Sequence, residues 1–147
     1  MFEHLKKYEG QATAWLEIPE LGPNARIEMT QASEQNKGYY SALLRVSGKR
    51  IRRLAVRIDP SDAARNRNED RNLYPKHVIV GWENLESEQH TDENPDHIEY
   101  SRELAAELCK KLPSHLFDRL RTFASTPEEF YPDVDDIPPD AEELAEN

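Results

Sequence analysis

The stretch Tyr74-Pro75-Lys76-His77-Val78-Ile79-Val80-Gly81-Trp82-Glu83-Asn84-Leu85 decides how the rest of this chain is arranged. Val78, Ile79 and Trp82 fall at helical spacing, so they can cover one face of a helix. Pro75 removes a backbone donor and crowds the turn before it, so a helix arriving from upstream should break or kink there. Gly81 lets the chain turn, and Trp82 is large enough to fasten that turn to a core. On this reading the block is a structural hinge between a polar helix and an acidic loop.

Upstream of the block, Asp59-Pro60 reads as a helix opening, with Asp accepting from orphan amides and Pro in the first turn, where its missing N–H costs nothing. Residues 61–72 are almost all polar, which leaves Ala63, Ala64, Leu73 and Tyr74 to face a core. Earlier, Tyr39, Tyr40, Leu43, Leu44 and Val46 recur at helical spacing, and Ser47-Gly48 supplies a stop. Residues 50–58 fit a strand through the alternation of Leu54, Val56 and Ile58, although a helix turn fits their first half. Residues 13–18 and 25–30 are β-prone, and the Pro- and Gly-bearing run between them makes a hairpin loop of about six residues.

Downstream, residues 83–99 hold seven acidic side chains and no Lys or Arg, the composition of an exposed connector. Ser101 caps the next helix, which carries Leu104, Leu108 and Leu112 at four-residue steps until Pro113 ends it. A second short helix puts Leu116, Phe117, Leu120 and Phe123 on one face, and Phe130 and Tyr131 can fold back as an anchor. The fold class expected is α+β: a small N-terminal β-hairpin element followed by a mainly helical domain within residues 1–127, then an acidic tail.

The chain has 147 residues, enough for one core, but its mean hydropathy of −0.90 places part of it outside that core. Residues 128–147 carry nine acidic side chains and no Lys or Arg, so of the formal net charge of −10 only −1 belongs to residues 1–127. Such a tail keeps itself solvated and sometimes binds basic partners. No run approaches the roughly 20 apolar residues of a membrane span, and the first eight residues are too charged for a signal peptide, so a soluble cytoplasmic protein is expected. Cys109 is the single cysteine, which excludes an internal disulfide, and its place on a helix face reads as a buried, inert thiol.

Catalytic and metal patterns are poorly supplied. His4, His77, His90, His97 and His115 show no His-Glu-x-x-His, and His90 and His97 read as loop histidines. Asp133, Asp135, Asp136 and Asp140 lack the glycine and closing Glu of a calcium loop. Ser47-Gly48-Lys49 lacks the spacing of a phosphate loop, and no nucleophile has an identifiable base, so no enzyme, metal or cofactor is expected. The basic stretch Arg45, Lys49, Arg50, Arg52, Arg53 and Arg57 contains no acid. It fits a solvated face, a partner for the acidic tail, a patch for an acidic protein, or least well a nucleic-acid contact, since no aromatic platform is interleaved.

Taken in order, residues 78–85 with their Gly-Trp-Glu, the loop after them, Ile98-Glu99-Tyr100-Ser101 opening a Leu-bearing helix, and a closing helix near Phe130 resemble the tail assembly chaperones of long-tailed bacteriophages. Residues 36–44 and Asn68-Glu69-Asp70-Arg71-Asn72-Leu73-Tyr74-Pro75 are similar to phage proteins as well. The resemblance covers most of residues 33–131; the long insertion before Tyr100 and the acidic end depart from it. It implies a protein of the bacterial host cytoplasm that is not an enzyme, coats the tape measure protein and helps recruit tail tube subunits. A second copy of the chain is a further partner to consider, whereas nucleic acid and membrane are not expected. Tyr39, Tyr40, Leu43 and Trp82, with Phe117 and Leu120 behind them, are the candidates for its client groove, although stripes at such spacing more often close a core. Arg45, Arg50, Arg52, Arg53 and Arg57 are the candidates for an acidic partner. Alternatives are a minor tail or tail-completion protein retained in the virion, and an acidic inhibitor imitating nucleic acid through residues 128–147.

Overall fold

The computed structural model describes residues 1–8, 12–54 and 60–131, and for 47–54 and 60–62 the backbone alone. Strands β1 (Thr13–Glu17), β2 (Arg26–Thr30) and β3 (Ile79–Glu83) form one antiparallel sheet in that order. Helices α1 (Lys37–Leu54) and α2 (Pro60–His77) lie between β2 and β3 in the chain, and α3 (Arg102–Lys111) and α4 (Ser114–Ala124) follow. The architecture is α+β, with the expected hairpin of β1 and β2 paired from Thr13↔Thr30 to Glu17↔Arg26.

The third strand corrects the reading of the central block. Ile27 pairs with Trp82 and Glu28 with Gly81, but Met29 pairs with Ile79, so Val80 is the extra residue of a β-bulge. In a regular strand, positions three apart face opposite sides. The extra residue resets the alternation, so Ile79 and Trp82 are both buried while Val80 is 42% exposed. Gly81 is therefore a rung of a ladder, and Trp82 is a strand residue, not the fastener of a hinge. Pro75 does not break α2, which runs on to His77 before the Val78 N–H bonds to the Tyr74 carbonyl at 2.9 Å. Nor does Ser47-Gly48 stop α1, whose backbone continues to Leu54, giving the first half of residues 50–58 to a helix. Residues 55–59, with the proposed Asp59 cap, lie outside the described residues.

The β1–β2 connection requires glycine at one point. Gly22 has φ of +147°, and a Cβ there would lie 2.8 Å from the Asn84 carbonyl oxygen. That close approach lets Glu86 N–H reach the Leu21 carbonyl at 2.9 Å, tying the loop after β3 to the hairpin.

One apolar cluster joins sheet and helices. Ile27 and Met29 from β2, Ile79 and Trp82 from β3, Leu73 and Tyr74 from α2, and Phe117 and Leu120 from α4 all belong to it. The Tyr74 ring meets Tyr39 of α1 at 5.9 Å and Phe117 of α4 at 5.4 Å, both edge-on, so one aromatic spans three helices. Phe130 is buried and its ring lies 5.5 Å from Phe123, while Tyr131 meets Tyr8 at 5.2 Å, so both residues fold back onto the domain.

Candidate functional site

The apolar period of α3 runs one residue out of step with its core contacts. Ala105 and Cys109 are its fully buried residues, whereas Leu104 is exposed and Leu108 half-buried. Ser101 holds the start of the helix, its Oγ accepting from the Leu104 amide at 3.1 Å. Arg71 of α2 holds its end: one guanidinium nitrogen donates to the carbonyls of Cys109 at 2.6 Å and Leu112 at 2.8 Å, which have no partner within the helix. Fixed at both ends, α3 turns Leu104 and Leu108 toward the loop that follows β3.

That loop is closed at its base. Glu86 and His97 form a β-bridge, the Ile98 amide donates to the Leu85 carbonyl at 2.7 Å, and Ser87 donates twice to Asp96, its backbone N–H to the carbonyl and its hydroxyl to the carboxylate. Trp82 pins it to the sheet, its indole N–H donating to the Ile98 carbonyl at 2.7 Å with the Tyr100 ring edge-on at 5.1 Å. Between loop and α3 lies a groove of about 420 Å³ floored by Trp82, Leu85, Ile98, Leu104 and Leu108. Glu88, Glu107 and Lys111 stand along it, and Lys111 is already bonded to Glu107 at 2.7 Å. An apolar floor with a charged rim can hold one face of an amphipathic helix.

A second cluster binds the helices to each other. Tyr39 Oη donates to Asp70 Oδ1 at 2.7 Å, and Arg121 Nε donates to Asp70 Oδ2 at 2.8 Å. Arg121 also reaches Asp118, which accepts two bonds from Arg67 at 2.9 and 2.8 Å. Burial pushes the Tyr39 phenol well above its usual range and raises the Asp70 carboxyl despite its two bonds. The hydrogen bond from Arg67 holds Asp118 below the usual carboxylate range. Every member is engaged with another, and the chain of contacts locks α1, α2 and α4 together.

Of the residues singled out from the sequence, Tyr39, Phe117 and Leu120 lie in the core around Tyr74, and Tyr39 is taken by Asp70. Tyr40 and Leu43 are half-buried on α1 and do not line the groove beside α3. Trp82 alone of the six lines it, from a position 8% exposed. Leu104 and Leu108 carry the signal that the sequence offered for the rest: leucines at helical spacing with a smaller residue after each. Arg45 is exposed on α1, while the side chains of Arg50, Arg52, Arg53 and Arg57 lie outside the described residues, as does the chain from 132 on.

Burial pushes the Cys109 thiol up to about 12, so it is protonated and unreactive at neutral pH. His90 and His97 stand 5.3 Å apart; His90 Nε2 lies 3.4 Å from Glu86, and its Nδ1 accepts from the Asp96 amide at 2.9 Å. Among the described residues, no group of three or more His, Cys, Asp or Glu gathers as metal ligands, and no helix is long and apolar enough to cross a membrane.

Comparison with curated proteins and with solved structures found no match. The model of one family, described as YdaY prophage protein, matches residues 34–136. That span takes in α1 to α4, β3 and the groove, and leaves β1 and β2 outside it. The match covers more than half of the chain, which is phage-derived and belongs to the family of YdaY prophage proteins.

Proposed function

We propose that this prophage protein is a tail assembly chaperone. It binds the tape measure protein in the host cytoplasm, keeps that client's long helices soluble while the tail tube assembles around them, and acts by binding without catalysing a reaction. The observation that carries this reading is the apolar groove between α3 and the loop after β3. Its floor of Trp82, Leu85, Ile98, Leu104 and Leu108 suits the apolar stripe of a helix, and the carboxylates of Glu88 and Glu107 favour a stripe flanked by Lys or Arg. The prophage family and the resemblance carried by residues 78–85 and 98–101 agree with it.

Co-expression with the tape measure protein of the same prophage tests the proposal. The soluble fraction of that client should rise severalfold when this chain is present. Equal precipitation with and without it would sink the idea. Stoichiometric recovery of the chain in purified particles would instead favour a minor tail or tail-completion protein.

A further inference from the structure

A cleft of about 570 Å³ lies away from the groove, lined by Thr30, Asn36, Gly38, Lys76, His77, Ile79, Val80, Tyr100 and Arg102. Lys76, His77 and Arg102 line it, and no carboxylate does. Arg45, two turns along α1 from Gly38 and so on the same helix face, adds a further cation to the field at His77. Arg45, Lys76 and Arg102 are exposed, and none has a carboxylate partner among the described residues. Burial first, then Lys76, Arg45 and Arg102, holds the His77 imidazole below its ordinary value.

The cleft is built, not incidental. Asn36 donates to the His77 carbonyl at 2.7 Å and Thr30 donates to it at 3.1 Å, fixing the end of α2 against β2 and the start of α1. Gly38 keeps the ring open on that side, since a Cβ there would lie 3.1 Å from His77 Nδ1. The N-terminal ends of α1 and α3 both border this cleft, and their helix dipoles add to its positive potential.

We propose that this cationic cleft is the docking site of the chain's own acidic segment, residues 132–147. Those residues carry seven of the nine acids counted above and no Lys or Arg, the charge complement of the exposed cations Arg45, Lys76 and Arg102. Tyr131 and Glu128 share a surface hollow with Ser33, Glu34 and Gln35, directly before the Asn36 and Gly38 that line the cleft. From Tyr131, sixteen residues reach up to roughly 50 Å when extended. The exposed Val80 and the ring of Tyr100 at the cleft suit the apolar Val134 and Ile137 of the segment.

A nitroxide attached to the full chain through Glu146→Cys tests this, because the native Cys109 is buried and protonated. At about 0.01 M ionic strength, where the screening length is about 30 Å, the amide signals of Gly38, Lys76 and Arg102 should lose more than half of their intensity. The loss should vanish at about 1 M salt, and in the double variant Lys76→Glu/Arg102→Glu, whose exposed positions leave folding intact. Unchanged intensities at low salt, or losses that persist in the double variant, would overturn the proposal. So would losses on an isotope-labelled chain mixed with an unlabelled nitroxide-bearing one, which would put the segment on a second copy. Shifts of the same amides by a short DNA duplex, with no nitroxide effect, would assign the cleft to nucleic acid instead.

Discussion

Tyr39 serves two environments at once, its ring edge-on to Tyr74 in the core and its hydroxyl donating to Asp70. Replacing it by Phe keeps the ring contact and removes one of the two bonds to a carboxylate that is almost fully buried. Tyr39→Phe should therefore lower stability by about 1–3 kcal/mol in urea unfolding. No loss would mean that Arg121 alone satisfies Asp70. The burial of Tyr39 was legible in its helical spacing with Leu43, whereas Asp70 was hidden in a polar run. Nothing local distinguishes a carboxylate that meets a tyrosine thirty-one positions away from its solvated neighbours. Val80 is a similar case: the bulge brings Ile79 and Trp82 to one face, and three-residue spacing imitates a helix.

Among elements, the short 3-10 turn Pro19–Leu21 is joined to α4 by Glu20 and Arg119, with two parallel bonds of 2.7 Å. The hydrogen bond from Arg119 lowers the Glu20 carboxyl from its ordinary 4.5 to about 2. Because the folded value lies below the unfolded one, this pair contributes stability that is present above 4.5 and is lost as pH falls toward 2. Glu20→Gln should therefore have a lower urea midpoint than the parent at pH 7, and the gap should close progressively between 4.5 and 2. A gap that stays constant across that window would place the effect in packing. Solvent exposure and salt keep the gap small. The helices α3 and α4 were legible from the Ser101 cap, the Pro113 break between them and their apolar residues at helical spacing, and β1 and β2 from β-prone runs flanking a Pro- and Gly-bearing loop. β3 was not, since a strand needs a partner and Ile27 lies fifty-five positions before Trp82.

For the whole molecule, core and surface give opposite expectations. Phe117 is fully buried beneath Tyr74, and Phe117→Ala should cost about 3–5 kcal/mol and reduce every activity together by unfolding. Leu104 lines the groove from an exposed position, so Leu104→Glu should change stability by no more than about 0.5 kcal/mol while lowering capture of the tape measure protein severalfold. Thermal unfolding beside the co-expression assay separates the two, and a Leu104→Glu chain that still solubilises the client fully would remove the groove from the binding surface. The sequence by itself determined the α+β class, the hairpin, the two C-terminal helices, the buried cysteine and the uneven charge, because caps, turn residues and local periods act within a few positions. Only the tertiary structure decided that the Gly-Trp block is a bulged strand, that α3 turns Leu104 and Leu108 into a groove beside the loop after β3, and that Lys76, His77 and Arg102 share one cleft. Those depend on which distant segments meet, and contacts across tens of residues leave no mark in local spacing.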